Sequence, residues 1–345
     1  MEQNIITLDY LEGINLRFGM YLGVEPIQQC VKEIISNSLD EAKFGYGDKI
    51  EIAIDTPTNT LTVRDFGRGI PADKVIDVLT KPHTGGKFDT TGTAGLNGIG
   101  VKAVTAMGEV TLTTFDGKYK HTITTNKKIA DKAEMRTEPS KEKKGTKFTW
   151  TPTADSRFTS RISPEEVQNL LLDYSYCNNV SFIFTVDDNT TTIKPQSLVS
   201  LIPSNIITPI FTSKASNDKT AVSIAMAWTE EDTVDTSFIN GVKMTEGGSH
   251  ITLIRTALTR AVGKFVEGAK GEDIRRGLHL AVRIETTEEL FFSSQAKDKI
   301  AMPSLNPVVS EAFKTITDQF DEKNLKKVIG RLNRLNKALG LDKMK

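Results

Sequence analysis

Five short segments of the 345-residue chain carry residues whose types and spacing could do chemistry on a phosphate-containing ligand. In chain order they are Glu33 with Asn37, DFGRGIP at 65–71, GGK at 85–87, GLNGIG at 95–100 and GT at 145–146. Glycine-rich turns can bring backbone amides around a phosphate group, and the chain lacks the GxxxxGK[ST] pattern of a P-loop. Each segment alone is a weak signal, since polar helix stripes and glycine-rich turns are common. Their shared order and tight spacing make the combination specific.

Hydrophobic periodicity indicates the elements that must position these segments. Residues 26–44 predict an amphipathic helix, with Glu33, Asn37 and Asp40 on the face opposite its apolar stripe. Residues 49–55 and 60–65 predict two strands joined by a turn. The six glycines of 84–100 predict a mobile loop, after which a helix is expected from Val101 to Met107.

A change of composition at 200–217, rich in Pro, Ser, Thr and Asn, indicates a boundary between two domains, 1–204 and 205–345. The second domain is predicted to contain strands at 222–228, 236–239 and 278–285 and a helix from about His250 to Val266. Residues from about Asn306 to Lys345 predict a basic helix with a coiled-coil-like leucine seam.

Composition excludes several classes of protein. The 44 Lys and Arg balance 44 Asp and Glu, which argues against coating of nucleic acid by bulk positive charge. Two cysteines, Cys30 and Cys177, are too few for a disulfide framework or a cysteine-rich zinc site, and the four histidines lack metal-like spacing. Because no membrane span or signal peptide is apparent, a cytoplasmic protein with no membrane partner is expected.

With RFGMYLG at 17–23, the five segments resemble the ATPase region of the type IIA DNA topoisomerases, the family of the gyrase B subunit, within the GHKL (Bergerat) class. EGGSH at 246–250, IRRGL at 274–278 and SSQAKDK at 293–299 resemble the transducer domain of that family. The resemblance implies an α+β fold, with a GHKL ATP-binding sandwich in 1–204 followed by a transducer domain of ribosomal-protein-S5-like fold in 205–345.

The resemblance also implies roles for individual residues. Glu33 would be the general base that polarises water for attack on the γ-phosphate of ATP, and Asn37 would bind Mg²⁺ through its amide oxygen. Asp65 would accept a hydrogen bond from the adenine amino group. Gly69 and Ile70 would lie close to the base, and Thr146 would support it.

The phosphates of ATP would be held by a lysine and by the loop before the predicted helix. These residues are Lys87, Gly95, Leu96, Asn97, Gly98, Ile99, Gly100 and Val101. Gln295 and Lys297 would reach the γ-phosphate from the second domain, which would link hydrolysis to rotation between the domains. Arg68 is expected to form an ion pair with Asp40 or Glu41, and Arg255, Arg260 and Lys264 either line a DNA cavity or form a solvated helix face.

The implied protein is an ATP-operated clamp that forms a homodimer on binding ATP and traps DNA. Few residues precede the matching segment, so exchange of an N-terminal arm with a partner subunit is not expected. Neither the metal-binding motif of the cleavage region nor a tyrosine domain that cuts DNA appears, so a separate DNA-cleavage subunit is a possible partner. Two alternatives stay open: a MutL-like mismatch-repair ATPase, and a non-catalytic module that binds a host topoisomerase.

Overall fold

The computed structural model describes residues 8–82, 84, 99–291 and 299–338. The chain divides into two compact units, Met1–Pro195 and Gln196–Lys345, so the division falls nine residues before the boundary predicted at 204/205. Each unit combines helices with one main sheet, as an α+β chain should. Among the described helices none is long and apolar enough to cross a membrane.

The described residues of the first unit form six α-helices and eight strands. The helices are α1 (Tyr10–Leu16), α2 (Phe18–Leu22), α3 (Pro26–Lys43), α4 (Val75–Thr80), α5 (Gly100–Met107) and α6 (Pro164–Ser175). The strands are β1 (Lys49–Asp55), β2 (Thr60–Asp65), β3 (Gly108–Phe115), β4 (Tyr119–Thr125), β5 (Arg136–Pro139), β6 (Gly145–Pro152), β7 (Ser181–Val186) and β8 (Asn189–Ile193). These strands form one sheet in the order β5-β4-β3-β6-β2-β1-β7-β8, in which β1 and β7 are parallel and the other neighbours antiparallel.

Helices cover one face of this sheet, because buried apolar residues alternate with partly exposed residues along the strands. Ile50, Ile52 and Ile54 of β1 are buried, whereas the intervening residues are partly exposed. The apolar stripe of α3 packs onto this core, with Val31 and Ile35 fully buried. The predicted helix at 26–44 and the strands at 49–55 and 60–65 are therefore confirmed, the helix ending at Lys43.

The described residues of the second unit form five strands and four α-helices. The strands are β9 (Phe211–Ser216), β10 (Thr220–Trp228), β11 (Val234–Ile239), β12 (Val242–Lys243) and β13 (Leu278–Thr286), and the helices are α7 (Ser249–Gly263), α8 (Gly271–Arg275), α9 (Asn306–Thr317) and α10 (Lys326–Ala338). The sheet order is β12-β11-β13-β10-β9, with β11 and β13 parallel. A separate core forms around Trp228, whose indole donates to the Ile274 carbonyl at 2.7 Å.

The continuous helix predicted from about Asn306 is wrong, because the chain leaves the helix after Thr317 and starts α10 at Lys326. Phe320, in the break, packs its ring 5.1 Å from that of Phe211 and 6.0 Å from that of Trp228. The predicted leucine seam packs within its own unit instead of forming a coiled coil with another helix. Leu325, Val328 and Leu332 are buried in the core of the second unit.

Candidate nucleotide site

Helix α3 presents Glu33 and Asn37 on the face that does not pack into the core. The opposite face is held in place by buried side chains such as Cys30 and Ile34. Gln29 Nε2 donates to Glu33 Oε1 at 3.1 Å, and Asn37 Nδ2 donates to the Glu33 carbonyl at 2.8 Å. Both polar side chains are partly buried. The helix therefore holds a carboxylate and an amide in defined positions one turn apart.

The start of α5 lies directly against the Glu33 carboxylate. A Cβ atom built on Gly100 would lie 2.0 Å from Glu33 Oε2, so a larger residue there would displace the carboxylate from its present position. Ile99 and Val101 flank this contact and are partly buried. Because the first amides of a helix have no partners within the helix, Glu33 faces a region suited to anions.

Lys102 is the charged residue buried deepest near this region. Its side chain is 1 % exposed, and Nζ donates to the Thr84 carbonyl at 2.7 Å. Burial lowers the pKa of Lys102 to about 8. Lys102 therefore ties α5 to Thr84, a described residue on the other side of the segment 85–98.

Asp65 ends β2 as a buried carboxylate with several donors around it. Its Oδ1 accepts from the backbone amides of Gly67 and Thr146, each at 3.0 Å, and its Oδ2 accepts from Ser38 Oγ at 3.2 Å. Burial raises the pKa of Asp65, while these hydrogen bonds and the charge of Arg64 act in the opposite direction. Sequence reasoning missed Ser38 and Arg64, which no motif marks.

The turn after Asp65 continues the same wall of the site. Gly69 has a backbone φ of +79°, and the Ile70 amide donates to Thr114 Oγ1 of β3 at 2.7 Å. Arg68 points outward and donates to Glu41 Oε2 from Nε and to Oε1 from Nη2, at 3.0 and 2.9 Å. Of the two partners expected for Arg68, the structure selects Glu41.

The structure thus forms two groups of predicted residues. Glu33, Asn37 and Gly100 form one, and Asp65, its turn and Thr146 form the other. Helix α3 joins the two groups, because it carries both Glu33 and Ser38, the hydrogen-bond donor to Asp65. These two residues are five positions apart, or roughly 7.5 Å along the helix axis. Other predicted residues lie outside the described part of the chain: Lys87, Gly95, Leu96, Asn97, Gly98, Gln295 and Lys297.

The described residues contain no group of three or more His, Cys, Asp and Glu side chains that could hold a metal ion by itself. Asn37 offers one hard oxygen ligand. This donor set fits Mg²⁺ bound mainly by phosphate oxygens and water, because Mg²⁺ usually takes only one or two protein ligands beside a nucleotide.

Two family models together match most of the chain. A model described as "Histidine kinase-, DNA gyrase B-, and HSP90-like ATPase" matches residues 23–156, and one described as "DNA gyrase B" matches residues 180–338. The first match contains Glu33, Asn37, Asp65 and Gly100, and the second contains α7 to α10.

Curated relatives are similar over nearly all of the chain. The B subunit of DNA topoisomerase 4 from Borreliella burgdorferi is 32% identical over 95% of this chain and 56% of its own length. The B subunit of DNA gyrase from Archaeoglobus fulgidus is 29% identical over 90% of this chain and 54% of its own length. The chain therefore spans about half the length of the curated relatives it matches.

Solved structures share the fold of both units. The 43K ATPase domain of Thermus thermophilus gyrase B, solved with an aminocoumarin, has a TM-score of 0.71 at 21% identity and covers 97% of each chain. The topoisomerase IV ATP-binding domain of Francisella tularensis, solved with a small-molecule inhibitor, has a TM-score of 0.74 at 19% identity, covering 96% of this chain and 98% of its own. The expected fold, a GHKL domain followed by a transducer-type domain, is confirmed.

Proposed function

Because this chain belongs to the gyrase B family of type IIA topoisomerases and contains its ATPase and transducer regions, we propose that it binds and hydrolyses ATP to operate a dimeric clamp on DNA. The observation that carries the proposal is the contact of the Glu33 carboxylate with Gly100 at the start of α5. This contact supports the proposal, because it brings a carboxylate to a helix start whose first amides could bind a phosphate group. The comparisons favour neither a mismatch-repair ATPase nor a non-catalytic module.

The adenine end of the nucleotide is assigned to Asp65. Its carboxylate already accepts from Ser38, Gly67 and Thr146, which hold it in one orientation. An ionised carboxylate has about four acceptor sites, so it can accept one more bond from an amino group. Gly69 and Ile70 lie along this wall, and Thr146 is anchored to Asp65 through its amide.

The phosphate end is assigned to the start of α5 and the segment before it. The amides of Gly100 and Val101 would face the phosphates, together with Lys87 and the loop residues Gly95, Leu96, Asn97, Gly98 and Ile99. Glu33 would orient the attacking water and accept its proton. Asn37 would bind Mg²⁺ through Oδ1, since its Nδ2 is directed to the helix backbone. When bound, the ion would neutralise charge on the phosphates.

The second unit is proposed to sense the nucleotide through Gln295 and Lys297 of SSQAKDK. A lysine there would add a positive charge at the γ-phosphate, where charge develops during transfer. Loss of that phosphate would release the contact, so the two units could rotate in response to hydrolysis.

A basic groove on the second unit supports the proposal that DNA is a partner. The groove has a volume of about 720 Å³, and its charged lining consists of five cations, Arg276, Lys326, Lys327, Arg331 and Arg334, and two acids, Glu230 and Glu231. Burial lowers the pKa of Arg331; the charge of Arg276 acts in the same direction, and the charge of Asp273 opposes it. A phosphodiester would relieve the repulsion between the two arginines.

The expected DNA contact can be tested by salt dependence. Duplex binding should weaken as salt rises, and Lys327→Ala or Arg334→Ala should each reduce the slope of log K against log salt by about 1. Lys314→Ala is the matched control, because this exposed lysine of α9 pairs with Asp318 and lies outside the groove. Equal slopes in all four proteins would contradict the groove assignment. Arg255, which the sequence analysis offered as a DNA contact, donates to Asp235 and is not assigned to the DNA surface.

Glu33→Ala tests the catalytic assignment. The variant should bind ATP with little change but lose turnover by about 10²-fold or more, the usual contribution of a general base. Binding by calorimetry and phosphate release from the same preparation would be compared with Lys32→Ala, a change to the preceding residue of the same helix. Normal turnover in Glu33→Ala would remove the carboxylate from the mechanism.

Homodimer formation on ATP binding is tested by size-exclusion chromatography with and without a non-hydrolysable analogue. A shift to twice the mass with the analogue supports the clamp, and an unchanged mass contradicts it. A separate DNA-cleavage subunit and a cytoplasmic, nucleoid-associated location complete the proposal. If this chain supplies the ATPase part, mixing it with the cleavage subunit of a type IIA enzyme should yield ATP-dependent strand passage.

A further inference from the structure

Arg64 is a buried arginine directly before Asp65 on β2. Its side chain is held between two aromatic rings, with the guanidinium carbon 4.7 Å from the centre of the Phe66 ring and 4.2 Å from that of Phe115. Only 7 % of the residue is exposed. An arginine stacked in this way is confined to one position, because its planar group fits between rings and its long side chain has no free space.

The guanidinium joins two backbone segments that support the Asp65 carboxylate. Nη1 donates to the Asp65 carbonyl, and Nη2 donates to the Lys143 carbonyl at 2.5 Å. Lys143 lies three residues before Thr146, whose amide donates to Asp65 Oδ1. Arg64 therefore links the end of β2 to the chain that leads into β6. One linked segment carries the Asp65 carboxylate, and the other leads to Thr146, whose amide donates to that carboxylate.

Gly145 shows how closely this arrangement is packed. Its φ is +133°, and a Cβ atom built there would lie 2.6 Å from Arg64 Nη1 and 2.2 Å from the Asp65 carbonyl oxygen. A larger residue at this first position of β6 would clash with the Asp65 carbonyl and with Arg64. Arg64 thus packs directly against the residue that precedes Thr146.

Arg64 affects Asp65 through its positive charge in addition to its hydrogen bonds. Burial raises the pKa of Asp65; the hydrogen bonds from Gly67, Thr146 and Ser38 oppose this effect, and the positive charge of Arg64 adds a smaller opposing effect. The protonation state decides which base can pair, since an ionised carboxylate only accepts hydrogen bonds and a protonated one can also donate. Adenine presents an amino donor at position 6 of the purine, whereas guanine and hypoxanthine present a carbonyl acceptor there.

We propose that Arg64 is a positioning residue for base selection: it fixes the Asp65 carboxylate in one orientation, so that the site accepts 6-aminopurine nucleotides and rejects 6-oxopurine nucleotides. This inference rests on the proposed function, since it assumes that Asp65 meets the base. In this proposal Arg64 acts on the nucleotide only through Asp65.

The test is the ratio of the dissociation constants for GTP and ATP, measured by titration in the full chain. Arg64→Gln removes the charge and one of the two ties, and should lower this ratio by about tenfold, mainly through weaker ATP binding. Arg64→Lys keeps the charge but not the planar fork, and should lower it by only about threefold. A purely structural role would weaken both nucleotides equally and leave the ratio unchanged.

Arg68→Gln is the matched control, because this neighbouring arginine is exposed and bonds Glu41 rather than Asp65. Its ratio should equal that of the wild type. If Arg64→Gln does not fold, Arg64→Lys decides the outcome, and a ratio within twofold of wild type in every folded Arg64 variant overturns the inference. Failure of the wild type to bind ATP would instead refute the proposed function.

Discussion

The buried histidine at the start of α7 makes a quantitative prediction about the stability of the second unit. His250 is fully buried, and among the described residues neither ring nitrogen has a hydrogen-bond partner. Burial lowers the pKa of His250 from 6.5 to about 4. The unfolded chain therefore binds a proton that the folded chain does not between these two values, and the free energy of unfolding falls as pH decreases through that window.

The expected loss follows from the width of the window. At about 1.4 kcal/mol per pH unit, the difference amounts to about 3 kcal/mol, most of it between pH 7 and pH 4.5. His250→Leu removes the titrating group and the unpaired nitrogens, so the variant should be at least as stable as wild type at pH 7 and lose less stability on acidification.

Urea unfolding at pH 7 and pH 4.5 provides the assay. Trp150 and Trp228 report on different units, so a Trp150→Phe background leaves Trp228 as the fluorescent probe of the core that contains His250. Other acidic and basic groups contribute equally to both proteins, and the comparison isolates the histidine. If wild type and His250→Leu lose the same free energy between the two pH values, the reasoning from burial is wrong.

Three further predictions concern the candidate nucleotide site. Gly100→Ala puts a methyl group 2.0 Å from the present position of Glu33 Oε2, so turnover should fall by roughly tenfold or more while the melting temperature changes little; unchanged phosphate release would contradict it. Burial lowers the pKa of Lys102 from 10.5 to about 8, so the stability of wild type relative to Lys102→Met should increase as pH rises from 8 to 10; an unchanged difference between their denaturation curves would contradict it. Arg68→Ala should cost at most about 1 kcal/mol in urea unfolding, because the arginine of this pair is half exposed; a larger loss would show that the turn depends on it.

Elements with strong local periodicity were predictable from the sequence. Helix α3 follows from one apolar stripe, and β1 and β2 follow from alternation around a turn. The weaker edge strands β5 and β8 were missed, since most of their residues are exposed and show no alternation. The break between α9 and α10 was missed because it depends on Phe320 packing against residues more than 90 positions away.

The site shows the same division between motif and packing. Glu33, Asn37, Asp65 and Gly100 lie in sequence motifs that carry their chemistry, whereas Arg64 lies in no motif. Ser38 is 27 residues from the carboxylate to which it donates, and Thr146 is 81 residues away. Spacing along the chain does not reveal such contacts, since they exist only when the helix and two strands have packed.

The sequence by itself determined the class of the site and the residue types that serve it, because glycine turns and polar helix faces are local properties of the chain. Tertiary structure alone decided how the Asp65 carboxylate is held, through Ser38 from α3 and the tie made by Arg64. The physical reason is desolvation: a buried charge needs partners in fixed positions, and packing brings those partners from segments that are distant in the chain.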